Sequence, residues 1–188
     1  MCEIEDSPFE TRSLVIRDAV ADDCGSIGAL AIQLVHLEHS LNAGIGEPTP
    51  WAGSAAEIRK QMARPSTKFM VAEREGKIIG YARIDLHGTD RRQSRITRAV
   101  TQLVAKLSRR PRANFISAGG VITGILIAGE DRRAGVGGRL VEAAEGWLRL
   151  QGVSQVFIHV LQNNLPALQF WERNGFVPVT IVLRKPLN

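Results

Sequence analysis

The chain has 188 residues, 44% of them hydrophobic and 23% charged, a size and balance that suit one soluble domain with a single core. No apolar run approaches the roughly 20 residues that span a bilayer, and the first ten residues hold four acids and no Lys or Arg, unlike a secretory signal. The net charge of +5 is uneven, because residues 88–118 carry eight Lys or Arg against one Asp and leave the remainder slightly acidic.

Ser13 to Arg17 alternates and reads as a strand. Asp22 and Asp23 then precede a helical pattern of apolar residues three and four apart, Ile27, Leu30, Ala31, Leu34, Val35, Leu37 and Leu41. Residues 42–53 are rich in Gly and Pro and read as loop. Ser54, with Glu57 three residues on, predicts a capped helix through Arg64. Lys68 to Arg74 and Lys77 to His87 predict two strands joined at Glu75-Gly76. Ile96, Ala99, Val100, Leu103, Val104 and Leu107 recur at helix spacing, and Pro111 stops that helix. Val121 to Ala128 is a nearly continuous apolar strand, followed by a glycine-rich turn and a helix from Arg139 to Leu150 that Gly152 ends. Gln155 to Leu161 predicts a strand, Asn164 with Pro166 a helix start, and Phe176 to Arg184 a last strand. Strand and helix alternate through the last third, so the expected class is α/β.

The sharpest signal is Arg132-Arg133-Ala134-Gly135-Val136-Gly137-Gly138 between a buried strand and a helix. Backbone N–H groups at a helix start have no internal partner. Glycine lets a ligand approach the main chain, and the helix dipole favours anions. Together they make a diphosphate cradle, to which Arg132 and Arg133 add charge. A Rossmann fingerprint fails on spacing, since Leu140 stands where the third Gly belongs, and a P-loop fails because Arg139 follows Gly138. Glycines that serve only helix–strand packing are the plain alternative.

Arg132 to Gly137, R-x-x-G-x-G, resembles the acetyl-CoA signature of the GCN5-related N-acetyltransferases (GNAT). Asn164, Ala167, Phe170-Trp171-Glu172 and Gly175-Phe176 are similar to a second segment of that family. Leu14-Val15-Ile16-Arg17 with Ala19 and Asp22 looks like its opening strand and helix. Val71-Ala72-Glu73 to Gly76, with Ile79-Gly80-Tyr81, looks like its central hairpin. The four blocks stand in the family's order and cover nearly all of the chain outside residues 88–118. The resemblance implies a single N-acetyltransferase domain over residues 1–188, with a basic helical insertion at about 88–118. It also implies a mixed, mostly antiparallel sheet flanked by helices, whose splayed central strands hold the cofactor. Acetyl-CoA is the implied cofactor, with coenzyme A as product. Its diphosphate would meet the backbone of Arg133, Ala134, Gly135, Val136, Gly137 and Gly138. The pantetheine arm would pair along Ile125, Leu126 and Ile127, with the Ile125 amide as oxyanion donor. Asn164 would contact that arm or merely cap its helix. Ala167, Phe170 and Trp171 would complete the cofactor wall.

The family often uses a Tyr as general acid where this chain has Trp171, and an indole N–H is a poor acid. It also often places a base on the strand before the turn, and Val121 to Ala128 holds no carboxylate. Asp85 and His87, two apart on one face near a strand end, are the candidate bases, against a plain reading as a solvated strand end. Glu47 and Trp51 lie in a loop that the family often uses to shape the acceptor pocket. His36 and His39 are too few ligands for a metal, so none is expected. Cys2 and Cys24 do not make a disulfide framework, and reduced thiols in the cytoplasm are the expectation. Three readings of the basic insertion stay open: a cover for the domain or a homodimer contact, an arm for RNA or the ribosome, or a border of the cofactor or acceptor site. The expected activity is acetyl transfer to a primary amine of a small molecule or protein. The alternatives are an acyl-CoA-binding module with weak or no catalysis and an RNA- or ribosome-associated acetyltransferase.

Overall fold

In the computed structural model, which describes residues 14–42, 53–87 and 119–185, the alternating segments pair into one five-stranded sheet. Strands β1 (Leu14–Asp18), β2 (Thr67–Arg74), β3 (Lys77–His87) and β4 (Gly119–Ile127) are antiparallel neighbours. β5 (Val156–Ile158) joins β4 in parallel, giving the order β1-β2-β3-β4-β5. The helices are α1 (Cys24–Leu41), α2 (Ala55–Met62), α3 (Val136–Leu150) and α4 (Leu165–Arg173).

The period-2 alternation of β2 explains the layering. Phe69 and Val71 face α1 and α2, packing with Cys24, Ile27, Leu30, Ile58 and Tyr81. Met70 and Ala72 face the other way, into a core with Ile84, Ile122, Leu140, Val141 and Leu148 from β3, β4 and α3. Leu140, fully buried on α3, is the type of residue whose burial contributes about 1.5–3 kcal/mol. The β2–β3 turn carries positive φ at both Glu75 (51°) and Gly76 (75°), the backbone of a tight two-residue hairpin. Ser54 caps α2 by accepting from the Glu57 N–H at 3.2 Å. Glu57 does not reach back; its carboxylate accepts from Gln61 instead.

Two irregularities open the sheet where the chemistry is expected. β3 and β4 pair as Arg83↔Gly124 and then Ile84↔Ile122, so Thr123 is an extra, bulged residue in β4. β4 pairs with β5 only at Gly120, Val121 and Ile122, while β4 runs on to Ile127. Beyond Ile122 the two parallel strands part, in accord with the expected splay.

Some boundaries differ from the sequence reading. α3 starts at Val136 rather than Arg139, because Gly135 takes the left-handed conformation (φ 74°) at its N-cap. Phe176 to Arg184, expected as a strand, has no pairing partner among the described residues. Val177, Val179, Ile181, Val182 and Leu183 there are 68–89% exposed. Alternation alone makes no strand: the ladder needs a neighbouring edge, and Pro178 removes one donor. No helix among the described residues is long and apolar enough to cross a membrane. The insertion helix, Glu47, Trp51 and Cys2 lie outside the described residues.

Candidate active site

The turn from β4 into α3 is built to leave main-chain donors free. A 3-10 turn at Gly129–Asp131 ends the strand's approach, pinned by an ion pair from Arg74 on β2 to the buried Asp131. Arg132 folds back and donates from Nε to the Ile127 carbonyl at 2.9 Å. Arg133 then takes positive φ (65°), uncommon for a residue with a Cβ, and Gly135 repeats it. The first intrahelical bond of α3 runs from the Arg139 N–H to the Gly135 carbonyl at 3.2 Å. The N–H groups of Val136, Gly137 and Gly138 therefore precede the helix ladder and have no helical acceptor. Val136 buries its side chain in the core, which fixes the turn. A Cβ on Gly135 would meet nothing within 4 Å, so open space lies over the turn. At Gly137 the reason for glycine differs: a Cβ would stand 3.0 Å from the Phe170 ring of α4.

This turn borders a cleft of about 260 Å³ between the parted strands. One wall is β4 from Thr123 to Ile127; the other is the chain after β5, Ile158 to Leu161. The floor comes from α4, through Asn164, Ala167, Phe170 and Trp171. Of the residues expected at the cofactor, Ile125, Leu126, Ile127, Arg132, Gly137 and these four line the cleft together. Arg133, Ala134 and Gly135 sit exposed at its end. The third side was not foreseen: α1 presents Leu34, Leu37 and Glu38. His159 also lines the cleft.

Asn164 acts as a cap, its Oδ1 accepting from the Ala167 N–H at 3.2 Å, while it also borders the cleft. Trp171 is buried at 5% exposure, edge-on to Phe170 (centroids 5.0 Å apart) and to Phe176 (4.8 Å). Its contacts are those of a core residue. Trp171→Phe should lower stability by about 1–2 kcal/mol and kcat/KM by no more than about tenfold. Thermal melts and steady-state kinetics check this; a thousandfold loss with a normal melting temperature would give the indole a chemical role.

Asp85, one candidate base, is buried and heavily bonded. It accepts from Thr67 Oγ1 and Thr123 Oγ1, each at 2.6 Å, and pairs with Arg83 at 3.0 Å. Burial pushes its carboxyl up, but the Thr123 and Thr67 hydroxyls and the Arg83 guanidinium prevail and hold it below its ordinary value. A carboxylate so satisfied holds the bulged Thr123 against β3, and it does not line the cleft. His87 ends β3, and its side chain lies outside the described residues. A depressed carboxyl contributes stability above its unfolded value of 3.8 that is lost as pH falls through the folded value. Asp85→Asn should therefore cost about 2 kcal/mol at pH 7 and progressively less as pH falls from 3.8 through the lower folded value. Denaturant melts across that range check it; a difference independent of pH would sink the assignment.

Glu38 is the carboxylate that sequence reasoning passed over. Burial pushes its carboxyl up from the ordinary value. The signal was present: Ile27, Leu30, Ala31, Leu34 and Leu41 form one helical stripe, and Glu38, four after Leu34, interrupts it. His36 and His39 share α1, and no group of three or more His, Cys, Asp or Glu able to hold a metal occurs among the described residues.

The model of the Acetyltransferase (GNAT) family matches residues 39–176. No curated protein sequence matches the chain. Among solved structures, a tetramutant of the BH1408 protein from Bacillus halodurans is similar over 92% of this chain and 99% of its own, with TM-score 0.72 and 16% identity. The aminoglycoside N-acetyltransferase AAC(6')-Iy, solved in complex with CoA, is similar over 93% of this chain and 95% of its own (TM-score 0.65, 15% identity). The aminoglycoside acetyltransferase meta-AAC0020 from an uncultured soil metagenomic sample, solved with sisomicin, is similar over 93% and 97% (TM-score 0.59, 16% identity). Likeness at these identities speaks for the fold, a sheet open between β4 and β5. The family match spans well over half of the sequence, and on it the chain belongs to the Acetyltransferase (GNAT) family and is an acyltransferase.

Proposed function

We propose that this enzyme transfers the acetyl group of acetyl-CoA directly to the primary amine of a small molecule. The observation that carries the reading is the start of α3, where three main-chain N–H groups without helical acceptors stand at the end of the β4–β5 cleft. The residues fit the cofactor: a positive-φ glycine with open space above it, Arg132 and Arg133 beside it, and a gap edged by β4 backbone leading inward. Anions are favoured at a helix N-terminus by the dipole and by the free donors. Acetyl-CoA supplies an activated thioester. The chain's part is to hold the diphosphate at Gly135 to Gly138, to align the arm along Ile125, Leu126 and Ile127, and to offer the Ile125 N–H to the developing oxyanion. Asn164, its Oδ1 used in the cap, lines the same cleft. The aminoglycoside acetyltransferases among the similar structures support a small-molecule amine as acceptor.

The test is an acceptor screen that follows free coenzyme A thiol. Purified enzyme, acetyl-CoA and a panel of primary amines, sisomicin included, should release thiol only when an amine is present. Tight binding of acetyl-CoA with no amine-dependent release across the panel would overturn the transferase reading for small molecules.

A further inference from the structure

The cleft holds one carboxylate among its described lining residues, and that group has no structural task. The Glu38 carboxylate accepts no hydrogen bond and makes no ion pair with any described residue, unlike that of Asp85. It stands on the stripe of α1 that packs against β4. Leu34, one turn earlier, reaches to 3.7 Å from where a Cβ on Gly124 would lie, and the Tyr81 hydroxyl reaches to 3.1 Å of the same point. The Asn163 side chain donates to the Leu41 carbonyl, tying the end of α1 to the loop between β5 and α4. Glu38 thus lines the same cleft as Gly124 and Ile125, near enough to Tyr81 for its charge to push the phenol up. An unpaired carboxylate half-buried beside Leu34 and Leu37 is destabilising unless something else uses it.

We infer that Glu38 is a catalytic residue that receives the acceptor's ammonium group and takes its proton. The inference rests on the acetyl-CoA reading above and adds the substrate class: a primary amine that arrives as a cation. The ammonium gives one proton to the Glu38 carboxylate. The freed nitrogen lone pair forms a C–N bond to the acetyl carbon, the C–S bond breaks, and the sulfur leaves as thiolate. The nitrogen's second surplus proton goes to that thiolate. Glu38 returns its proton to solvent, so the sum is ammonium plus acetyl-CoA to amide, coenzyme A and one proton. No Tyr at the Trp171 position is needed, since the amine itself supplies the thiol's proton. Among titratable groups, Tyr81 on β3 is near enough that burial and the Glu38 charge push its phenol up, and His159 and Arg132 line the same cleft. The raised Glu38 carboxyl suits proton transfer better than the depressed one of Asp85.

Two conjugates test this without knowledge of the natural acceptor. S-aminoethyl-coenzyme A places an ammonium near where the attacking nitrogen would stand, and S-hydroxyethyl-coenzyme A places a neutral group there. By calorimetry at pH 7.5 the wild type should bind the amino conjugate at least about tenfold more tightly than the hydroxy one, a gain near 1.4 kcal/mol. Glu38→Gln should erase that preference and leave the affinity for coenzyme A unchanged. The wild-type preference should fade as pH drops through the Glu38 carboxyl, and the Gln variant should show no such fade. With an amine returned by the acceptor screen, Glu38→Gln should lower kcat/KM about 100-fold, within the usual range for a general base. Its melting temperature should hold or rise, because a half-buried charge has been removed. No ammonium preference in the wild type, or one that survives in the variant, overturns the assignment. Failure of coenzyme A itself to bind would instead overturn the function on which it rests.

Discussion

Gly135→Asp should retain the fold and lose the cofactor. A Cβ at this position meets nothing within 4 Å, so the protein has room for the side chain. Asp tolerates the left-handed backbone (φ 74°) better than most residues, and a carboxylate at the N-terminus of α3 is favoured by the helix dipole. The melting temperature should therefore stay close to wild type. The ligand meets the opposite result. Two like charges about 4 Å apart repel by about 4 kcal/mol at an effective dielectric of 20, and the side chain also fills the space above the N–H groups. Coenzyme A affinity should fall at least about 100-fold by calorimetry. Gly135→Asn keeps the backbone preference and the volume without the charge. It should lose less, and the gap between the two should shrink in high salt as screening grows. Unchanged coenzyme A binding by the Asp variant would remove the turn from the cofactor site.

The reasons this turn could be read from sequence, and other parts of the site could not, are physical. A glycine-rich turn between a buried strand and a helix needs only local information: positive φ at Gly135, exposed N–H groups and nearby arginines all follow from about eight residues. The hairpin at Glu75-Gly76 was legible on the same grounds. Asp85 shows the limit. Alternation places it on a sheet face, but a bulge at Thr123 on another strand decides that two hydroxyls and a guanidinium saturate it. Glu38 shows the reverse. Nothing in a helical repeat says whether an acid on an apolar stripe meets solvent or a cleft; that depends on β4 and β5 parting where α1 crosses them. The segment after Gly175 has the composition of a strand, and only the absence of a partner among the described residues keeps it from being one.

Gly28→Val should damage both stability and acceptor chemistry while sparing the cofactor. A Cβ at Gly28 would stand 1.9 Å from the Gly53 carbonyl oxygen, and the clash is with backbone. Gly53 itself sits at φ 88° and would bring its own Cβ within 3.1 Å of Ile32, so the contact is tight from both sides. Helix α1 must then move off the turn that begins α2, carrying Leu34, Leu37 and Glu38 with it. Overpacking of this kind costs about 3 kcal/mol, which for a chain of this size corresponds to a melting temperature lower by roughly 6–12 °C. The turn proposed to hold the diphosphate joins β4 to α3, which packs on the other face of the sheet, and coenzyme A affinity should stay within about threefold, or 0.6 kcal/mol. The acceptor side should not be spared: a displacement of about 1 Å at a positioning element can lower turnover by 100-fold. Gly28→Ala adds a smaller group at the same point and should fall between wild type and Val in both readouts. The decisive comparison is the preference for S-aminoethyl- over S-hydroxyethyl-coenzyme A, which moving α1 should weaken as it shifts Glu38. If the Val variant melts like wild type, Gly28 does not hold α1 in place. If it melts lower but keeps the full ammonium preference, then α1 does not position the group that binds the acceptor.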